Sequence, residues 1–455
     1  MPAAKIGLYE LVLRQLQDDG FADVAAALSS RTHISANSSV PDDHLFQLYE
    51  DKLFAHAYGN GASAATDDAG ERRWVPVPTR AQPLHTPGAP LQSTDTTVEA
   101  AMECKESLRV LSSRVKTDCL HHAHQQTGER SGVSVVVSND GQFVASSGSD
   151  CTVRVMFLSK LRATREASPR HERHHSERVL TRVYEDHTEP ATSMAFHPRK
   201  PYLYTGSSDR TVKIFETNKN ARKQRSSGEI QEAYPIRCMA MHPCGDFLLV
   251  GTAHPIIRLY DVNTLGCFIA FRQDQHHKSS INDLQCTSDG SVFASASADG
   301  VIQIWDAVSN RSINRLPNAH RSLAVETVRW SRNLTYLLSA GRDGRTRLWD
   351  MRKGEEVFVF AGGSRESYWR KSIFLYDERY VASISTDPSV RDVLLFNAGT
   401  GEALAPLHVY TSANQPARCA DVAASPTQLA VSTVGSDARC RYLELSYAQD
   451  DRRTD

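Results

Sequence analysis

Histidine, aspartate and a hydroxyl are the groups from which acid–base and nucleophilic sites are built, and this chain carries them in a recurring arrangement. His187, His277 and His320 each open a stretch that leads to an aspartate (Asp209, Asp299 or Asp343) followed at once by an alternating apolar run. The later two runs end in Trp305 and Trp349, and serines fall in the same stretches. A catalytic centre occurs once, whereas residues that pack a structural unit recur with the unit, and buried polar groups need partners. These side chains are therefore expected to pair inside repeated units rather than to act on a substrate.

No other arrangement supplies an active site. The sequence has no GxxxxGK[ST] phosphate loop, no HExxH, no GxSxG elbow and no strand-turn-helix GxGxxG. His171, His174 and His175 are close together but have no cysteine partners. The nine cysteines are odd in number and form neither a CxxC pair nor a CxH cluster, which argues against a disulfide framework and a zinc site. Reduced, mostly buried thiols are expected. No cofactor and no metal are expected, and the chain reads as a non-enzyme. Lys plus Arg number 52 against 53 Asp plus Glu, so charge implies no global pull toward nucleic acid or membrane. The N-terminus and the lack of any run of about 18 apolar residues predict neither a signal peptide nor a membrane span, and hence a soluble intracellular protein.

A chain of 455 residues exceeds one ordinary compact core unless that core is assembled from repeats. The best copies are 187–216, 277–306 and 320–350, with 131–158 and 234–261 nearly as clear. Each has an alternating strand, a turn, a second strand ending in small residues, a marker residue and a third alternating strand. The markers are Asp150, Asp209, His254, Asp299, Asp343, Asp387 and Asp437, spaced by 59, 45, 45, 44, 44 and 50 residues.

A period of about 40 to 45 residues with a Trp-Asp ending resembles the WD-repeat propeller. Trp305-Asp306 and Trp349-Asp350 match that ending, with Phe215-Glu216 and Tyr260-Asp261 as variants. The expected fold is mainly β, a seven-bladed WD-repeat β-propeller over residues 106–447 preceded by a small α-helical dimerisation domain. Val212, Ile214, Ile302, Ile304, Arg347 and Leu348 should lie on blade strands. Six blades is the alternative, because the sixth unit (367–403) lacks the His and the Trp ending, and the seventh (408–445) ends in Cys440, Arg441 and Tyr442. The third unit has His254 in place of the aspartate, which leaves its internal pairing open. Residues 108–111 are expected to complete the last blade and remove its edge. In the WD-repeat family the opening His and the turn Asp bond through a strand hydroxyl to the Trp. The resemblance implies the same for His187 with Asp209, for His277, Asp299 and Trp305, and for His320, Asp343 and Trp349.

Ahead of the repeats, residues 6–30 read as helix, turn, helix, with Leu8, Leu11, Val12 and Leu16 at helical spacing, Phe21 at the turn, and Val24 and Leu28 on the second helix. A third amphipathic stretch covers 42–58. Helices this short cannot bury their apolar faces alone, so residues 1–58 are expected to form a homodimerisation domain, with docking on the propeller as the alternative. Residues 59–105 read as a flexible linker and 448–455 as a tail. An insertion at 159–186 explains the long first spacing. Lys219, Arg222, Lys223 and Arg225 form a basic stretch that is either an RNA-facing or nuclear-targeting patch or plain solvated surface.

Three stretches carry a narrower resemblance: LYELVLRQLQDDGF (8–21), IQEAYPIRCMAMHPCGDFLLVGTAHPIIRLYDVNTLGCF (230–268) and DGVIQIWDAVSNRSINRLPNAH (299–320). They are similar to the family of 50-kilodalton WD-repeat subunits of the cleavage stimulation factor. This resemblance implies a nuclear, non-catalytic scaffold in pre-mRNA 3′-end cleavage and polyadenylation. It would be a homodimer through its N-terminal helices and would join a 77-kilodalton scaffold subunit through the propeller. Contact with the RNA-recognition-motif subunit, pre-mRNA and the polyadenylation machinery would be indirect. The alternatives are a dimeric WD-repeat adaptor of another kind, either a ubiquitin-ligase substrate receptor or a dynein or corepressor scaffold.

Overall fold

The second strand of each unit is apolar at one end and small at the other, so it can be covered on both faces. Val292–Ser297 and Tyr380–Ser385 are buried at every residue, and Phe247–Thr252 and Tyr336–Gly341 at all but their first. Strands buried on both faces belong to stacked sheets. The structure, a computed structural model, describes residues 74, 108–110, 116–120, 131–158, 180–217, 225–268, 275–361, 369–375, 378–386, 392–407, 419–427, 429–436 and 439–447. The chain divides into two units, Met1–Pro78 and Thr79–Asp455, and all of these residues except Trp74 lie in the second.

The described strands form seven antiparallel sheets, each a blade. Their innermost strands are Gly132–Val137, Ala191–Phe196, Ile236–Met241, Ile281–Cys286, Val325–Trp330, Trp369–Phe374 and Cys419–Ala424. Each innermost strand contacts the next, and the seventh returns to the first, closing the ring. Apolar clusters join adjacent blades. Ala145, Val153, Val155 and Tyr184 of blade one pack with Phe196, Leu203 and Phe215 of blade two, and Val137 and Val144 of blade one pack with Val434 and Tyr442 of blade seven.

Blades one to five have four strands. Blade six has three, plus isolated bridges from Val393 to Leu407 and from Phe396 to Ala403. Seven blades, not six, is the outcome, because the sixth unit keeps its buried strands without the His and Trp. In blade seven the last strand, Arg439–Tyr447, pairs with both Leu108–Val110 and Lys116–Leu120, so chain preceding the first blade covers the edge of the last.

Seven cysteines, at 151, 238, 244, 267, 286, 419 and 440, are free thiols. Cys238, Cys419 and Cys440 are buried and Cys267 is exposed, so burial holds for fewer than half. Cys267 sits on the two-residue outer strand Cys267–Phe268, where the blade edge meets solvent. Outside the described residues lie the N-terminal helices with Leu8, Leu11, Val12, Leu16, Phe21, Val24 and Leu28, the linker, the tail, most of the 159–186 insertion with its three histidines, Asp387, Asp437, and Lys219, Arg222 and Lys223.

Candidate interaction surface

The repeated His and Asp residues meet inside their blades. In blade four, His277 Nδ1 lies 3.0 Å from Asp299 Oδ2, its Nε2 lies 2.7 Å from Ser295 Oγ, and Trp305 Nε1 donates to the same Oγ at 2.8 Å. A carboxylate only accepts, which places the imidazole proton on Nδ1. Nε2 then accepts from the serine hydroxyl, whose oxygen accepts from the indole. Every polar atom in the chain of bonds is used. Blade five repeats it: His320 Nδ1 to Asp343 at 2.7 Å, Nε2 to Ser339 Oγ at 2.8 Å, and Trp349 Nε1 to Ser339 Oγ at 2.9 Å. Blade two keeps His187 to Asp209 at 2.8 Å and to Thr205 at 2.7 Å. The indole position there is Phe215, whose ring meets His187 edge-on.

Burial lowers the His320 imidazole below its usual value although Asp343 opposes the effect. Burial by itself would raise the Asp299 carboxyl, but the hydrogen bond from His277, with those from the Lys278 and Val301 backbone N–H groups, outweighs it and brings the group down to about 2. The histidines and the hydroxyls they contact are buried between the blades, Ser295, Ser339 and Thr205 completely, so no substrate can reach the bonded groups and these residues hold the blade together.

Blade three solves the same problem with other groups. Glu232 stands four residues before the innermost strand, as His187 and His277 do, and Tyr260 stands at the tryptophan position. Val250 replaces the strand hydroxyl, so no relay is possible, and the Tyr260 hydroxyl donates directly to buried Glu232 Oε1 at 2.7 Å. The Arg258 guanidinium pairs with the other carboxylate oxygen. His254 does not replace the aspartate electrostatically; it stacks on Tyr234, ring centroids 4.8 Å apart. Sequence reasoning missed Glu232 because the substitution changes its chemistry while keeping its place.

The second feature that reading along the chain did not reveal is a bulge at the same place in all seven innermost strands, after the first residue. A bulge inserts an unpaired residue and re-aims its side chain. The inserted residues include Val133, Thr192, Arg237, Asn282, Glu326 and Arg370, and all six line the central channel, which has a volume of about 870 Å³. The residue after each bulge ties blade to blade. Ser193 Oγ accepts from Met239 N at 3.0 Å, Asp283 Oδ2 from Val328 N at 3.0 Å, Thr327 Oγ1 from Ser372 N at 3.4 Å, and Asp421 Oδ2 from Val135 N at 2.8 Å. Between blades six and seven the donor is Lys371 Nζ, 2.8 Å from Asp421 Oδ1.

What remains for recognition is the outer surface and the channel mouths. Arg225, from the basic stretch, is described and exposed. Among the described residues no cluster of three metal-ligating side chains occurs, and no helix is long and apolar enough to cross a membrane.

Seven sheets closed by a strand preceding the first, with His–Asp–Ser–Trp relays inside two of them, define a WD-repeat β-propeller, and the WD domain, G-beta repeat family model matches residues 118–155, 178–216, 270–306 and 311–350. The chain has the fold of a seven-bladed WD-repeat propeller. It is similar to cleavage stimulation factor subunit 50 of Arabidopsis thaliana, 29% identical over 337 residues that take in 74% of this chain and 72% of that one. Other similarities are partial. Coronin-7 of Rattus norvegicus is 25% identical over 36% of this chain and 18% of its own length, and serine-threonine kinase receptor-associated protein of Bos taurus is 27% identical over 34% and 45%. The repeats and the first of these similarities make the chain a non-enzymatic scaffold.

Proposed function

We propose that this chain is a nuclear WD-repeat scaffold subunit of a cleavage stimulation factor, supporting pre-mRNA 3′-end cleavage and polyadenylation. The observation that carries the reading is the breadth of the similarity: about three quarters of this chain and of the cleavage stimulation factor subunit align, where the other two relatives align over less than half of either chain. Residues 1–58 form the homodimerisation domain in this reading, 59–105 the linker and 106–447 the propeller. The propeller joins a 77-kilodalton-like scaffold subunit, and through it the RNA-recognition-motif subunit, pre-mRNA and the polyadenylation machinery. Two propellers on one hub raise the effective concentration of shared partners without new contacts at each site.

Affinity purification from nuclear extract with mass spectrometry tests the assignment, with a Leu16→Asp variant alongside. The expected result is recovery of 77-kilodalton-like and RNA-recognition-motif subunits with polyadenylation factors, and their depletion in the variant. Recovery of cullin or dynein components with no 3′-end factor would overturn it.

A further inference from the structure

The channel mouth on the face of the Asp turns has a composition that selects a partner. The repeated bulge brings Arg237 and Arg370 to that mouth, and Arg342, in the turn of blade five, lines the same cavity. Lys278 and Arg321 are exposed in loops leading into blades four and five, on the same face. These five cations run from blade three to blade six. Glu326 opposes them and is engaged by Arg342 Nε at 2.5 Å. Arg237 donates to neutral oxygens, Ser280 Oγ at 3.1 Å and Asn282 Oδ1 at 2.6 Å, which fix its direction and leave its charge uncancelled. Among the described residues no carboxylate pairs with Arg237, Lys278, Arg321 or Arg370.

Apolar anchors stand beside the cations. Tyr234 is 42% exposed and Leu323 48%. The Tyr234 ring is held against His254 by stacking. An aromatic side chain presented in one conformation loses little entropy on binding, as anchor residues of interfaces do. We infer that this crescent, from Tyr234 to Arg370, docks an acidic peptide segment of a protein partner, with apolar residues set among its carboxylates. Charge complementarity selects the acidic groups. Tyr234 is the one exposed aromatic ring of the crescent among the described residues and one of its faces is taken by His254, while Leu323 and Pro235 offer no flat face. A single-stranded nucleic-acid platform would present successive rings for bases to stack on, so the composition favours peptide over RNA. The inference rests on the protein-binding reading of the propeller, not on which complex the chain joins.

The test is fluorescence anisotropy of the full chain with three labelled probes: a peptide of alternating glutamate and leucine, the same peptide with lysine for glutamate, and an oligouridine. The variants are Arg237→Glu combined with Arg370→Glu, Tyr234→Ala, and Arg199→Glu as a control, an exposed residue on the opposite face. Thermal unfolding of each variant checks that the propeller is intact. The acidic peptide is expected to bind saturably, about tenfold more weakly in the double reversal and several-fold more weakly in Tyr234→Ala, and unchanged in Arg199→Glu. No saturable binding, or equal binding by folded reversal and parent chains, would overturn the inference. So would oligouridine binding tighter than the peptide and abolished by the same reversal, which would make the crescent a nucleic-acid surface. Loss of 3′-end factors from the affinity purification would sink the complex assignment and leave this binding untouched.

Discussion

The Tyr260 hydroxyl and the buried Glu232 carboxylate lie 2.7 Å apart, in the blade that has neither the histidine nor the strand hydroxyl of its neighbours. One direct bond there does the work of a three-bond relay. Burial holds the phenol protonated, its pKa pushed up to about 12, so it remains a donor. Tyr260→Phe removes that donor and leaves a buried carboxylate with Arg258 as its charged partner. The expected loss is about 1 to 3 kcal/mol in urea unfolding. No change in midpoint would mean that the hydrogen bond contributes nothing to blade three.

Acid should loosen the propeller in two stages. The His320 imidazole is depressed by burial in the fold, whereas an unfolded histidine takes a proton near 6.5. Below about 6.5 the unfolded chain therefore binds more protons than the folded one, and stability falls as pH falls. Asp299, at about 2 against an ordinary 3.8, adds stability above 3.8 that is lost as pH drops toward 2. Urea midpoints from pH 7 to 5 should decline in the parent chain and decline less in His320→Asn. Equal slopes in the two would remove His320 from the account.

Gly341 has no room for a side chain. A Cβ there would stand 2.3 Å from His320 Cγ and 2.4 Å from its Nδ1. Gly341→Ala must displace the imidazole from Asp343 and Ser339 or shift the strand, and each breaks buried hydrogen bonds. A loss of about 3 kcal/mol or more is expected in thermal or chemical unfolding. A loss under about 1 kcal/mol would show that blade five can relax around the methyl group.

Asp421 closes two junctions at once, accepting from Val135 N and Ser134 Oγ of blade one and from Lys371 of blade six. Asp421→Ala leaves a buried N–H and a half-buried ammonium without that partner. Stability should fall by about 2 to 4 kcal/mol. Hydrogen exchange should quicken first in blades one and seven, where the ring is joined. Uniform acceleration across all blades would contradict a local seam.

The recurring apolar alternation, the marker residues at near-constant spacing and the Trp-Asp endings were enough to give a β-propeller of repeats, because strand burial and turn chemistry are written locally. His187, His277 and His320, with their aspartates, could likewise be read from sequence as internal pairs, since their recurrence excludes a single site. Glu232 could not. Its role depends on Val250 and Tyr260, which lie across the blade and reveal the substitution only when the strands are in register. The bulges were hidden for the same reason: an extra residue is defined by what lies opposite it. They alone brought Arg237 and Arg370, far apart in the chain, to one channel mouth. Local pattern determined which residues become strands. Strand register and ring closure decided which of them face one another and which face a partner, because those are properties of pairing between segments and not of any segment itself.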